Sequence, residues 1–190
     1  MTHALATSPS ASTRILGMAG IVGGGVLLAA FVVEVAPDLN NLRLVLFNLG
    51  VIAIVVAVHR RQVAAAPTLA RGVAGATVLA NAWYLSMVVL ATGRPSPFAG
   101  DFGLVFFWAA VAMWLTDAAF GVVTLRLELV TRWGAAALAI GSALAFTGID
   151  RLALTSPASP TIFLPLSLIG IALNGLGWIL LGLVVARGKS

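Results

Sequence analysis

Six long apolar runs constrain the fold of this 190-residue chain more than any other feature. An α-helix needs about 20 residues to cross the roughly 30 Å hydrocarbon core of a bilayer. The runs are close to that length, are bounded by charged and turn-forming residues, and cover positions 15–35, 42–58, 72–92, 102–125, 133–149 and 162–186. They are continuously apolar, whereas the strands of a membrane barrel alternate over about ten residues. The sequence therefore predicts an all-α polytopic membrane protein with six transmembrane helices, arranged as three hairpins.

The composition excludes a soluble domain. Charged residues make up 9% of the chain and apolar residues 61%, whereas a soluble domain carries about a quarter charged residues. The same figures exclude a disordered chain, and the lack of cysteine excludes a disulfide-stapled secreted domain. The lipid bilayer is therefore the predicted partner of most of the chain.

Basic residues are distributed unevenly between the two ends of the predicted helices. Eight of the eleven Lys and Arg residues fall on the side that carries both termini, and three fall on the other side. Because loops rich in Lys and Arg stay in the cytoplasm, this asymmetry predicts that both termini are cytoplasmic. Topology thus accounts for the net charge of +5, and the basic charge gives no reason to expect a nucleic-acid partner.

The predicted organisation is one transmembrane domain with short tails. Residues 1–13 are rich in Ser, Thr and Ala and are predicted to form a disordered cytoplasmic tail. A single six-helix domain follows over 14–187, and residues 188–190 form a second cytoplasmic tail. A turn is predicted over 36–41, between the first two runs. Because all loops are short, any chemistry must take place in or at the membrane.

Asp117 is the one ionisable residue well inside a predicted helix, and such a residue is by default a candidate for function because a carboxylate is costly in the bilayer. It lies nine residues before Arg126, which places it about 13 Å from that boundary and near the midplane. Gly121, Thr124 and Glu128 share its helix face. That face predicts a stripe leading from the midplane to the cytoplasmic surface.

Two asparagines are predicted at a similar depth. Asn81 follows Arg71 by ten residues and shares a face with Tyr84, and Asn174 precedes Arg187 by thirteen residues. If the three helices turn these faces inward, the core contains a polar cluster of Asp117, Asn81, Tyr84 and Asn174, with Thr124 nearer the cytoplasm. We take these five residues as the candidate substrate or proton site.

Two functions fit this cluster. The first is the binding or transport of a small solute or a proton through a polar core at the midplane. The second is a non-catalytic accessory or structural role, in a membrane complex or a stress response, in which the polar groups only fix the packing of the helices. A groove open to the cytoplasm along Thr124 and Glu128 would favour the first function, and a dry, fully hydrogen-bonded core would favour the second.

Residue types that the chain lacks argue against enzymatic and cofactor chemistry. The two histidines, His3 and His59, lie in the tail and at a helix end, and Lys189 is the single lysine. These positions exclude a haem held by two histidines, an intramembrane histidine base and a retinal Schiff base. One carboxylate with no neighbouring acid or histidine is a poor metal site. The sequence predicts no catalytic residue, no metal, no cofactor and no enzyme.

Glycines predict where the helices pack. Gly134, Gly141 and Gly148 recur every seven residues, Gly20 and Gly24 form a small-xxx-small pair, and the last run contains four glycines. Close backbone approach at small residues is a main source of helix association in lipid. We interpret these glycines as contacts within the bundle, and the same Gly-rich faces could support a homo-oligomer.

Four segments of the chain carry a resemblance to known proteins. They read LRLVLFNLGVIAIVVAVHRRQ over 42–62, ANAWYLSMVV over 80–89, FWAAVAMWLTDAAFG over 107–121 and GIALNGLGWILLGL over 170–183. Together they resemble small six-helix bacterial membrane proteins. The resemblance covers most of the chain, implies the bacterial cytoplasmic (inner) membrane as its location, and implies no activity.

Overall fold

A computed structural model describes residues 10–29, 37–92, 94, 100–128, 130–147 and 164–188. Over these residues the chain forms six helices: α1 (Ala11–Ala29), α2 (Pro37–Gln62), α3 (Pro67–Ala91), α4 (Gly100–Leu127), α5 (Arg132–Phe146) and α6 (Leu164–Arg187). Five of these helices are long and apolar enough to cross a membrane. The fifth in order, α5, is apolar but has 15 residues, about 22 Å of helix. All regular secondary structure in the described residues is helical, as predicted, and the lengths and composition of the helices are consistent with a helical membrane protein.

The six helices form a closed ring. Each helix packs against the next in sequence, α6 packs against α1, and α2 also touches α6. Neighbouring helices run antiparallel. Gly17 of α1 lies against Gly182 of α6, and Gly24, which is later in α1, lies against Gly175, which is earlier in α6. The ring therefore has one interior, which the predicted polar residues of α3, α4 and α6 can all face.

Glycines let the backbones of α1, α5 and α6 approach closely, as predicted. A Cβ built on Gly24 would lie 2.5 Å from the carbonyl oxygen of Gly175, and one built on Gly17 would lie 2.7 Å from that of Gly182. Gly141 faces the backbone of α6 in the same way, a Cβ on Gly134 would first meet the side chains of Thr131 and Leu180, and Gly148 lies outside the described residues. A side chain at Gly17, Gly24 or Gly141 would push two backbones apart.

The first three helices start before their predicted boundaries. The predicted turn over 36–41 is wrong from Pro37 onward, because α2 starts there, and Pro is favoured in a first helical turn, where its missing N–H costs nothing. α3 starts at Pro67 for the same reason, five residues before the apolar run. α1 starts at Ala11, inside the predicted tail, and the Ser10 hydroxyl accepts a hydrogen bond from the Thr13 N–H at 3.3 Å, which caps the helix. Residues 1–9 and 189–190 of the predicted tails lie outside the described residues.

Candidate functional site

Asp117 lies in the interior of the ring, on the middle of α4, and is fully buried. The Nδ2 of Asn81, from α3, donates a hydrogen bond to its Oδ1 at 2.9 Å and also donates to the carbonyl of Thr77 at 2.9 Å. Thr77, one turn away, donates to the backbone of α4 at the carbonyl of Thr116, at 3.2 Å. The contact between α3 and α4 at this depth is therefore made of polar groups, and it holds the carboxyl group in place.

Asn174 brings α6 to the same centre. It is fully buried and its amide group faces the Asp117 carboxyl group. Its Nδ2 donates to the hydroxyl of Ser142, on α5, at 2.8 Å, and this hydroxyl donates to the carbonyl of Leu138 at 2.8 Å. The cluster thus joins four helices, and Ser142, which the sequence analysis did not include, is the contribution of α5.

Three oxygen atoms of the cluster are buried without a hydrogen-bond partner in the described part of the chain: Asp117 Oδ2, Asn81 Oδ1 and Asn174 Oδ1. An unpaired polar group costs free energy in a dry interior. All three atoms are acceptors, so a proton or a small hydrogen-bond donor would satisfy them. The centre is therefore polar, enclosed and short of donors.

The Asp117 face is closed at the end near Thr124, which the sequence analysis predicts to be the cytoplasmic end. Thr124, two turns from Asp117, accepts a hydrogen bond from the Nε2 of Gln62 at 2.7 Å, and both residues are buried. At Gly121 the backbone of α5 fills the space, since a Cβ there would lie 2.7 Å from the backbone nitrogen of Ala139. The predicted stripe therefore reaches Thr124 without forming an open groove.

Glu128 does not continue the stripe. α4 ends at Leu127, and Glu128 has a φ of 51°, in the left-handed region that ends helices. Its exposed carboxylate pairs with Arg132 at 2.7 Å, at the start of α5. The single-helix periodicity that placed Glu128 on the face of Asp117 fails because the helix has already ended.

Aromatic rings cover the other end of the cluster. Tyr84, one turn from Asn81, is buried and meets Phe106 edge to face at 5.3 Å between ring centroids. Phe106 lies 6.5 Å from Phe102, and the Arg94 guanidinium stands 4.0 Å above the Phe102 ring. Tyr84 therefore contributes to the aromatic packing at this end of the cluster rather than to the hydrogen bonds around the Asp117 carboxyl group.

A second aromatic pair borders the cluster on the side of α6. Phe120 and Trp178 are fully buried and stack at 5.9 Å between ring centroids. The Nε1 of Trp178 is a buried donor without a partner in the described residues. Trp114 is buried as well, whereas Trp83 is 41% exposed.

Metal ligands are not gathered at this site. In the ranges that the structure describes, no group of three His, Cys, Asp or Glu residues could hold a metal ion. Asp117 has amide, hydroxyl and aromatic neighbours instead. The chemistry that this set of groups can perform is hydrogen bonding and the exchange of a proton at one carboxyl group.

Comparison with known proteins finds no matching family model, no similar curated protein and no similar solved structure. What the polar centre does is therefore inferred from its own geometry.

Proposed function

We propose that the chain spans the bacterial cytoplasmic membrane six times, with both termini in the cytoplasm, and that it binds and moves a proton or a small solute at Asp117. The buried carboxyl group, with one oxygen unpaired in the described residues, carries this proposal. A carboxyl group is retained at such cost chiefly where it acts on an ion or proton. Tight packing by Phe120 and Trp178 favours a proton over a larger solute. The role is proposed to need no enzyme activity and no cofactor.

The topology part of the proposal rests on charge and on the antiparallel ring. Arg14, Arg71, Arg126, Arg132 and Arg187 all lie at the same end of the alternating helices, and the bilayer places such an end in the cytoplasm. The apolar run that contains α5 continues to residue 149 in the sequence. That length supports a sixth crossing.

Single-cysteine labelling tests the topology, because the chain has no native cysteine. The exposed positions Ser12 and Ala65 lie near the proposed cytoplasmic end, and Asp101 lies near the outer end. In right-side-out spheroplasts, a membrane-impermeant maleimide should label Asp101→Cys and leave Ser12→Cys and Ala65→Cys unlabelled until the cells are opened. Equal labelling of Ala65→Cys and Asp101→Cys in intact spheroplasts would overturn the orientation.

Infrared difference spectroscopy tests proton binding at Asp117. In reconstituted wild type, a change of pH should produce a carbonyl band of a buried carboxylic acid, since Asp117 is the fully buried acid of the described chain. Asp117→Asn should remove that band. Glu128→Gln is the matched control, because it deletes an exposed carboxylate and should leave the band unchanged. A band that persists in Asp117→Asn would show that another group takes up the proton.

A second function is supported by the closure of the core. Gln62 and Thr124 seal one end, aromatic rings seal the other, and glycine contacts bring the backbones together. These features also suit an accessory or structural membrane protein, in a complex or a stress response, in which the polar cluster fixes helix register. A homo-oligomer through Gly-rich faces stays a prediction. Among the glycines that the structure describes, Gly25, Gly72, Gly75 and Gly100 have nothing within 4 Å of a built Cβ.

A further inference from the structure

A groove runs between α2 and α3 on the outer surface of the bundle. It encloses about 390 Å³, and its apolar walls include Val55 and Val56 of α2 and Gly75, Val78 and Leu79 of α3. Gly75 widens it, since a Cβ at that position would meet nothing within 4 Å. The groove faces outward from the ring and shares no residue with the Asp117 cluster.

One end of this groove is polar and basic. His59 of α2 and Arg71 of α3 line it, Arg71 is exposed, and the Nδ1 of His59 is buried without a partner in the described residues. Arg71 precedes Leu79 by eight residues, so the basic end and the far apolar end are about 12 Å apart along α3. That distance is most of the hydrocarbon depth of one leaflet, which is about half of 30 Å.

We propose that this groove binds one anionic glycerophospholipid. The phosphate lies at Arg71 and His59, and an acyl chain lies along Gly75, Val78 and Leu79. A guanidinium group offers paired N–H donors that match a phosphate, and an imidazole adds one more donor. Basic pockets between helices at the cytoplasmic side bind lipid headgroups in this way. The assignment to the cytoplasmic leaflet rests on the proposed orientation, whereas the binding itself does not.

A second copy of the chain fits the groove less well than a lipid. Two copies in one membrane are related by an axis along the membrane normal, so the same face of each would meet at the same depth. The Arg71 side chains of the two copies would then approach each other, and like charges repel. An anionic lipid headgroup would instead neutralise the positive charge of Arg71.

Lipid titration of delipidated protein in detergent tests the proposal. Native mass spectrometry and thermal unfolding would be recorded with phosphatidylglycerol and with phosphatidylcholine of the same acyl chains. Wild type should retain one phosphatidylglycerol per chain and bind it about tenfold more tightly than phosphatidylcholine, as expected for a charge-assisted pair. Arg71→Gln should lose this preference for the anionic lipid. Gly75→Leu, which fills the groove, should weaken the binding of both lipids about tenfold or more.

Two matched variants control for general effects. Gly25→Leu adds the same side chain where nothing lies within 4 Å of the Cβ, and Arg126→Gln removes an exposed arginine outside the groove. Both should bind lipid like wild type. Equal lipid binding by wild type and Gly75→Leu, or an anionic preference that survives in Arg71→Gln, would overturn the proposal. Wild type that forms a dimer without bound lipid, together with a Gly75→Cys variant that cross-links to a second copy, would overturn it in favour of a second copy. Because no flux is measured, these outcomes are independent of any transport by Asp117.

Discussion

Gly170→Ala is expected to destabilise the bundle by about 3 kcal/mol, at the upper end of the cost of overpacking a core. A Cβ on Gly170 would lie 2.6 Å from the carbonyl carbon of Leu144 and 2.7 Å from the carbonyl oxygen of Gly141, and it would also meet the backbone nitrogen of Ala145. These atoms belong to the backbone of α5, so no change of rotamer relieves the overlap. α5 and α6 must separate.

Separation of α5 and α6 also breaks polar contacts. The Ser167 hydroxyl donates to the carbonyl of Ala145 at 3.2 Å, and Asn174 donates to Ser142 at 2.8 Å across the same pair of helices. The loss of stability should appear as unfolding at a lower SDS concentration and as a lower melting temperature. It should be accompanied by a perturbed Asp117 centre, because Asn174 faces that centre.

Gly75→Ala is the matched control for Gly170→Ala. Both changes add one methyl group to a helix, but the methyl group at Gly75 would meet nothing within 4 Å. It should therefore leave stability unchanged or raise it slightly, through the higher helix propensity of alanine. If the two variants unfolded alike, the close approach of α5 and α6 at Gly170 would be contradicted.

The sequence was sufficient to locate the centre of the polar cluster. Asp117 and Asn81 were placed at one depth by counting residues from Arg126 and Arg71, and depth is what a helix rise of 1.5 Å per residue determines. The partners Gln62 and Ser142 were missed because they depend on the rotation of one helix against another. An amphipathic pattern reports that rotation in water, but it is weak here because lipid and core are both apolar.

Helix ends were predicted less well for a related reason. Hydropathy indicates which residues lie within the bilayer, whereas a helix continues until its backbone N–H and C=O groups find other hydrogen-bond partners. α2 starts at Pro37 and runs to Gln62, beyond both ends of its apolar run. The extension carries Gln62 to Thr124, and an apolar run that ends at Val58 gives no sign of this contact.

Closure of the core has a consequence for the proposed transport. In the proposed orientation, a proton from the cytoplasm passes the contact between Gln62 and Thr124 on its way to Asp117, so this contact must open or relay the proton. Hydrogen bonds between helices in membranes contribute about 0.6 kcal/mol on average. Opening of this one contact is therefore energetically easy, whereas separation of α5 from α6 is not.

Proton flux into liposomes tests most directly whether Asp117 takes part in proton transfer or only in the packing of the helices. Wild type, Asp117→Asn and the control Glu128→Gln would be reconstituted with a pH-sensitive dye inside, and their melting temperatures would be recorded from the same preparations. Asparagine has the shape of aspartate, can accept the hydrogen bond from Asn81 and cannot release a proton. The polar core should therefore stay folded while the flux falls.

We expect wild type and Glu128→Gln to carry a proton flux. We expect Asp117→Asn to fold equally well and to lose the flux by about tenfold or more, because the proposed function assigns proton exchange to this carboxyl group. Flux in Asp117→Asn equal to that of wild type would contradict it. A lack of flux in all three proteins, with Asp117→Asn at least as stable as wild type, would also contradict it. The polar core would then serve only the packing of the helices.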